Sequence, residues 1–171
     1  NNETSNIAKH GFLRFQNFEI EEINDDSVTL KFSSNDETLK IYPYDFEFKV
    51  NYKLTDKLEI TYDIRNKSNK EMPFSVGSHE GYALYDKFEN YYVRFNKTTN
   101  LKSSVLVGNL ISHDLLNFGD NIDIFKLNID DYKIDAQVFQ NVHVNSATLV
   151  NKNSGDVLEI TFPQAENLVF W

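Results

Sequence analysis

Apolar and polar residues alternate with a period of two along several short stretches of the chain. In residues 45–50, Phe46, Phe48 and Val50 fall on one side while Asp45, Glu47 and Lys49 fall on the other, the signature of a half-buried antiparallel strand. Residues 58–64 repeat it with Leu58, Ile60, Tyr62 and Ile64, and Thr55-Asp56-Lys57 between the two reads as a hairpin turn. Further strands are expected at 17–23, 27–33, 38–42, 73–77, 91–95, 137–139, 143–150, 157–162 and 167–171. Clusters of Asn, Asp and Ser separate most of them. Many short strands at close spacing predict an all-β chain, an antiparallel β-sandwich with Greek-key or meander connections. Helix is expected to be scarce, with 112–118 the one candidate for a single turn.

Composition narrows this picture. The chain has 171 residues, 40% of them hydrophobic and 14% aromatic, enough for one ordinary core. No linker or repeat interrupts it, so residues 1–171 read as a single domain. No apolar run approaches the roughly 20 residues of a spanning helix. The formal charge of -9 disfavours nucleic acid and anionic membrane surfaces, which are held by basic residues. Cysteine is absent, which excludes disulfides and thiolate metal sites and fits a reducing compartment. Asn1 to Ile7 shows no basic region followed by an apolar one, so a cytoplasmic location is expected.

Elimination leaves little chemistry. There is no Gly-x-Ser-x-Gly elbow and no phosphate-cradling glycine loop. His10, His79, His113 and His143 form no His-x-x-x-His pair, so no metal and no cofactor is expected. The acidic stretch from Asp120 to Asp135 lacks the glycine and closing glutamate of a calcium loop and reads as solvated loop. What remains is acid–base chemistry or binding. His10 heads His10-Gly11-Phe12-Leu13-Arg14, where a glycine lets the backbone bend beside the imidazole and Arg14 supplies a fork of donors. His79 follows the apolar run Met72-Pro73-Phe74-Ser75-Val76-Gly77-Ser78, where a strand end would present it. An imidazole suits proton transfer at hydroxyl and ether oxygens. His113 and His143 read as structural.

These two segments, together with Tyr42-Pro43-Tyr44-Asp45-Phe46, Leu58-Glu59-Ile60-Thr61-Tyr62, Asn66 and Asn167-Leu168-Val169-Phe170-Trp171, resemble in order and spacing the aldose 1-epimerase (galactose mutarotase-like) family, most closely its LacX-like bacterial branch. The resemblance implies the family's many-stranded supersandwich, present here as a partial chain incomplete at both ends. It also implies interconversion of the α and β anomers of a hexose by acid/base ring opening. By the same resemblance His79 is the general acid that protonates the ring oxygen, and His10 and Arg14 bind the sugar near it. Ile134-Asp135-Ala136-Gln137-Val138-Phe139 resembles the family's Asp-Ala-Leu-Ile-Phe stretch, which makes Asp135 a ligand for sugar hydroxyls.

Two departures stand out. The family's Gly-His-Pro-aromatic pattern has become Ser78-His79-Glu80-Gly81-Tyr82, with a carboxylate in place of the proline. The family's base is a glutamate beyond the tryptophan-ended segment; Glu159 and Glu166 precede Trp171 and do not fit the motif. The expectation is a middle portion of a longer protein, its unpaired sheet edges favouring a homodimer or pairing with the missing segments. The competing reading is a non-catalytic carbohydrate-binding β-sandwich, with Tyr82, Tyr85 or Trp171 as a platform for a sugar face.

Overall fold

The structure is a computed structural model that describes residues 7–108, 110–133 and 136–171. The backbone falls into two compact units, Asn1–Val76 and Gly77–Trp171, each with its own sheet and apolar cluster.

The first unit carries a four-stranded antiparallel sheet in sequential order, β1 (Glu19–Ile23), β2 (Ser27–Ser33), β3 (Phe46–Leu54) and β4 (Leu58–Asn66). Period-two alternation builds it as expected. Phe46, Phe48 and Val50 of β3 are buried with Phe32 of β2, while Glu47 and Lys49 look outward. On that outer face Glu21 reaches Lys49 at 2.7 Å and Lys31 at 3.6 Å. The hydrogen bond from Lys49 and the charges of both lysines hold the Glu21 carboxyl below its usual range. The β3–β4 hairpin closes at Thr55–Lys57 as read, with Leu54 paired to Leu58.

Residues 38–42 are a correction. Residues 38–41 belong to a helix, α1 (Asp36–Ile41), with Tyr42 at its C-terminal cap, and none of the five is in a strand. Asn35 accepts hydrogen bonds from the amides of Glu37 and Thr38, and the Thr38 hydroxyl accepts from the Asn35 amide. This reciprocal cap satisfies the first orphan donors and overrides the β preference of Thr38, Ile41 and Tyr42. Residues 73–77 are likewise not strand; they lie in an irregular stretch from 67 to 87, where the Tyr42 hydroxyl donates to the Pro73 carbonyl at 2.6 Å.

The second unit is a six-stranded antiparallel sheet. Its strands are β5 (Tyr91–Val107), β6 (Leu110–Lys126), β7 (Gln137–Phe139), β8 (Ser146–Asn151), β9 (Gly155–Thr161) and β10 (Leu168–Phe170). The hydrogen-bonded order is β10-β7-β5-β8-β9, with β6 also paired to β5. β5 runs well past residue 95, through the Asn96–Asn100 stretch that composition marks as a turn; the register against β6 shifts there. Residues 112–118 lie within β6 and are not helical, because Leu115, Leu116 and Asn117 pair with Ser104, Ser103 and Lys102. Asp120 and Asp123 accordingly sit on a strand, and Asp130 and Asp131 on a 3-10 helix (Ile129–Tyr132), in place of the expected loop. The core gathers Phe139 and Leu101, both fully buried, with Phe125, Phe95 and Val93. Phe118, Phe125 and Phe170 surround Phe139 with ring centroids 5.6–5.9 Å away, mostly edge to face.

Phe139→Ala should therefore cost about 3–5 kcal/mol of stability, since rigid rings on three sides cannot collapse into the void. Urea unfolding followed by circular dichroism checks this; a loss below about 1 kcal/mol would contradict the packing described.

Candidate functional site

His10 and Arg14 belong to the first unit and His79 to the second. Asp135 lies outside the described residues.

The His10 segment is held by its apolar residues. Phe12 packs against Tyr42 and Phe46, with ring centroids at 6.0 and 6.1 Å, and Leu13 joins the same cluster. These inward contacts turn Arg14 outward on a 3-10 helix (Leu13–Phe15), its guanidinium carbon 4.5 Å from the centre of the Phe15 ring. Just before, the Gly11 amide donates to the Ala8 carbonyl at 2.9 Å. The turn so closed places His10 at φ 68° and Gly11 at φ 73°. Left-handed backbone suits glycine, but for a histidine it costs about 1–2 kcal/mol. The exposed imidazole is thus projected from a strained turn, a conformation that the Phe12 and Leu13 anchors over-determine.

His79 stands in the irregular stretch, exposed, with its ring centroid 4.0 Å from that of Trp171 and the planes tilted by 46°. The alternation of β10 explains the partner. Leu168 and Phe170 pack on the core, whereas Val169 and Trp171 face outward at 46% and 57% exposure. The indole therefore covers one side of the imidazole and keeps an accessible face of its own. Residue chemistry alone flags Trp171 as an aromatic platform; nothing local pairs it with His79, because the contact is made only by β10 docking on β7.

The downstream end of the His79 stretch is tied to β5 and β8. The Tyr91 hydroxyl accepts hydrogen bonds from the amides of Tyr85 and Asp86, both at 3.1 Å. The Asp86 carboxylate accepts from the side chains of Asn151 and Asn153 at 3.1 and 3.0 Å and from the Lys87 amide at 2.7 Å. These donors, Asn151 first, hold the Asp86 carboxyl far below the ordinary carboxylate range. Glu80 stands beside the imidazole in sequence and is half-buried; burial foremost, and the Glu80 charge after it, push the Tyr82 hydroxyl up. Among the described residues no group of three or more His, Asp or Glu side chains could hold a metal ion, and no helix is long and apolar enough to cross a membrane.

His10→Gly should leave stability unchanged or raise it by up to about 1 kcal/mol, the left-handed cost being removed and some chain entropy restored to the unfolded state; thermal unfolding reads the change, and a clear loss would contradict the strained turn. Asp86 binds its proton more weakly when folded than when unfolded, so it stabilises the fold above the unfolded carboxylate range of about 3.9 and that contribution fades as pH falls below it. Asp86→Asn should accordingly flatten the acid limb of the stability–pH curve; an unchanged limb would remove Asp86 from the account.

Comparison with known proteins agrees with the residues. The family described as aldose 1-epimerase matches residues 1–171. The plasmid and chromosomal LacX proteins of Lactococcus lactis subsp. lactis are each 30% identical over 177 residues, which is 98% of this chain and 59% of theirs. The crystal structure of a galactose mutarotase-like protein from Lactobacillus casei ATCC 334 superposes with a TM-score of 0.82 at 23% identity, covering 99% of this chain and 60% of that one. A galactose mutarotase related enzyme from Lactobacillus acidophilus gives 0.71 at 24% identity, with 98% and 62% covered. At such identities the structural likeness is one of fold, and it matches both the antiparallel β-sandwich expected from the strand pattern and the galactose mutarotase-like fold that the family resemblance implies. The chain spans 59–62% of the length of these relatives. It belongs to the aldose 1-epimerase family.

Proposed function

We propose that this member of the aldose 1-epimerase family contributes the acid half of a sugar mutarotase, with His79 as the proton donor to the ring oxygen of a hexose. The observation that carries the reading is the exposed His79 ring packed against Trp171 in the second unit; the motif resemblance likens this histidine to the family's acid. The indole restricts the imidazole's orientation, and the residue is exposed. His10 hydrogen-bonds near the ring oxygen, and Arg14 and Asp135 hold sugar hydroxyls.

The reaction runs in two proton transfers. A base removes the proton of the anomeric hydroxyl while the His79 imidazolium protonates the ring oxygen. The bond between C1 and that oxygen breaks and a free aldehyde forms. Rotation about C1–C2 presents the other carbonyl face, and closure with the protons returned yields the other anomer. The base is a glutamate, the residue type that serves this role in the family motif. The sugar binds without a cofactor, and the protein works in the cytoplasm.

Because each partner of an acid–base pair typically contributes about 10²–10⁴-fold, His79→Ala in a C-terminally longer protein should slow mutarotation by that factor. Polarimetry on freshly dissolved α-galactose measures it. A His79→Ala protein of undiminished rate would overturn the assignment.

The accessible indole favours one second reading, a carbohydrate-binding module without turnover. Trp171 is the sole tryptophan, so its emission reports on this position alone. Saturable quenching by sugar together with no polarimetric rate in the longer protein would select the binding module.

A further inference from the structure

A groove of about 470 Å³ opens in the second unit, and among the described residues it is lined by none of His10, Arg14 or His79. Its walls come from three stretches of chain. β5 contributes Thr98 to Asn100, Lys102 and Ser104; β6 contributes Leu115 and Asn121; the segment between β7 and β8 contributes Gln140, Asn141 and His143.

The lining chemistry is unlike that of an apolar cofactor pocket. Hydroxyls and carboxamides dominate, and each carboxamide offers both donor and acceptor. Among the described lining residues the lysine is Lys102, which lies 3.8 Å from the Asp120 carboxylate, and that carboxylate offsets its charge toward an anion. Leu115, 57% exposed, gives one apolar wall. Paired donors and acceptors beside a small apolar surface suit vicinal hydroxyls and the C–H face of a sugar.

The walls are also preorganised. Asn121 and Asn141, both at φ 55°, line the groove, and each left-handed turn is pinned by another asparagine: the Asn121 amide donates to Asn100 Oδ1 at 2.8 Å and the Asn141 amide to Asn167 Oδ1 at 3.1 Å. The Ser104 hydroxyl bonds Gln140 Oε1 at 3.3 Å and ties the 140–143 segment to β5. Register shifts between β5 and β6 on both sides of Thr99 and Leu101 break the regular ladder along this wall.

We infer that this groove is a second binding site, taking neutral polyhydroxylated ligands of the sugar class and independent of the acid–base residues. The test is a heteronuclear NMR titration of the 171-residue chain with methyl β-galactoside, whose blocked anomeric oxygen cannot enter mutarotation. The amides of Asn100, Asn121, Asn141 and His143 should shift along one saturating curve, in the unaltered chain and equally in His79→Ala. His143→Ala, which removes an exposed side chain, should raise Kd about tenfold, the loss of one good hydrogen bond, with an unchanged urea unfolding curve. Absence of saturable shifts, shifts confined to the surroundings of His79 and Trp171, or the same shifts with inorganic phosphate would overturn the inference. The reading under Proposed function fails separately, through the polarimetric rate, which His143→Ala should leave unaltered.

Discussion

Aromatic packing on one face of each sheet is the constraint on which the candidate chemistry depends. Neither histidine of interest sits on a strand. Each is presented by irregular backbone whose position is set by rings: Phe12 against Tyr42 and Phe46 for the His10 turn, and Phe170 against Phe125 and Phe139 for the strand just before Trp171. Because side chains alternate along an extended chain, burying Phe170 sends Trp171 outward to His79. Removing those rings would unseat the imidazoles without touching them.

Strain and hydrogen bonding refine what packing sets. The left-handed His10 is tolerated because Phe12 and Leu13 fix the residues that follow it. The Asp86 carboxylate collects donors from Asn151, Asn153 and Lys87, so the stretch carrying His79 is tied down at its far end by charge-assisted bonds. An exposed loop tied at one end by such bonds, with a ring packed against its histidine, can present that side chain reproducibly to a ligand.

How much of this was legible in the chain follows from where each signal resides. Strands β3 and β4 are plain because one face is buried and the other wet, so Phe46, Phe48 and Val50 alternate cleanly with Glu47 and Lys49. Helix α1 is hidden because Thr38, Ile41 and Tyr42 favour strands, and its start is decided by the side chains of Asn35 and Thr38. β6 is hidden for another reason: Leu115, Leu116 and Ile124 are exposed along it and Phe125 alone is fully buried, so no periodicity marks it. The candidacy of His79 is legible through the family motif and not through local pattern, and its contact with Trp171 depends on β10 pairing with β7, a long-range event without a local trace. The polar groove has no sequence signature either, since its asparagines come from three separate stretches.

The central claim is that His79 delivers a proton to the ring oxygen of a bound hexose. A crystal structure of a C-terminally longer form with galactose bound tests it most directly. The account predicts an imidazole nitrogen of His79 within about 2.6–3.2 Å of the ring oxygen, with Trp171 still against the imidazole. A sugar bound with its ring oxygen turned away from His79 and served by another acid would contradict it.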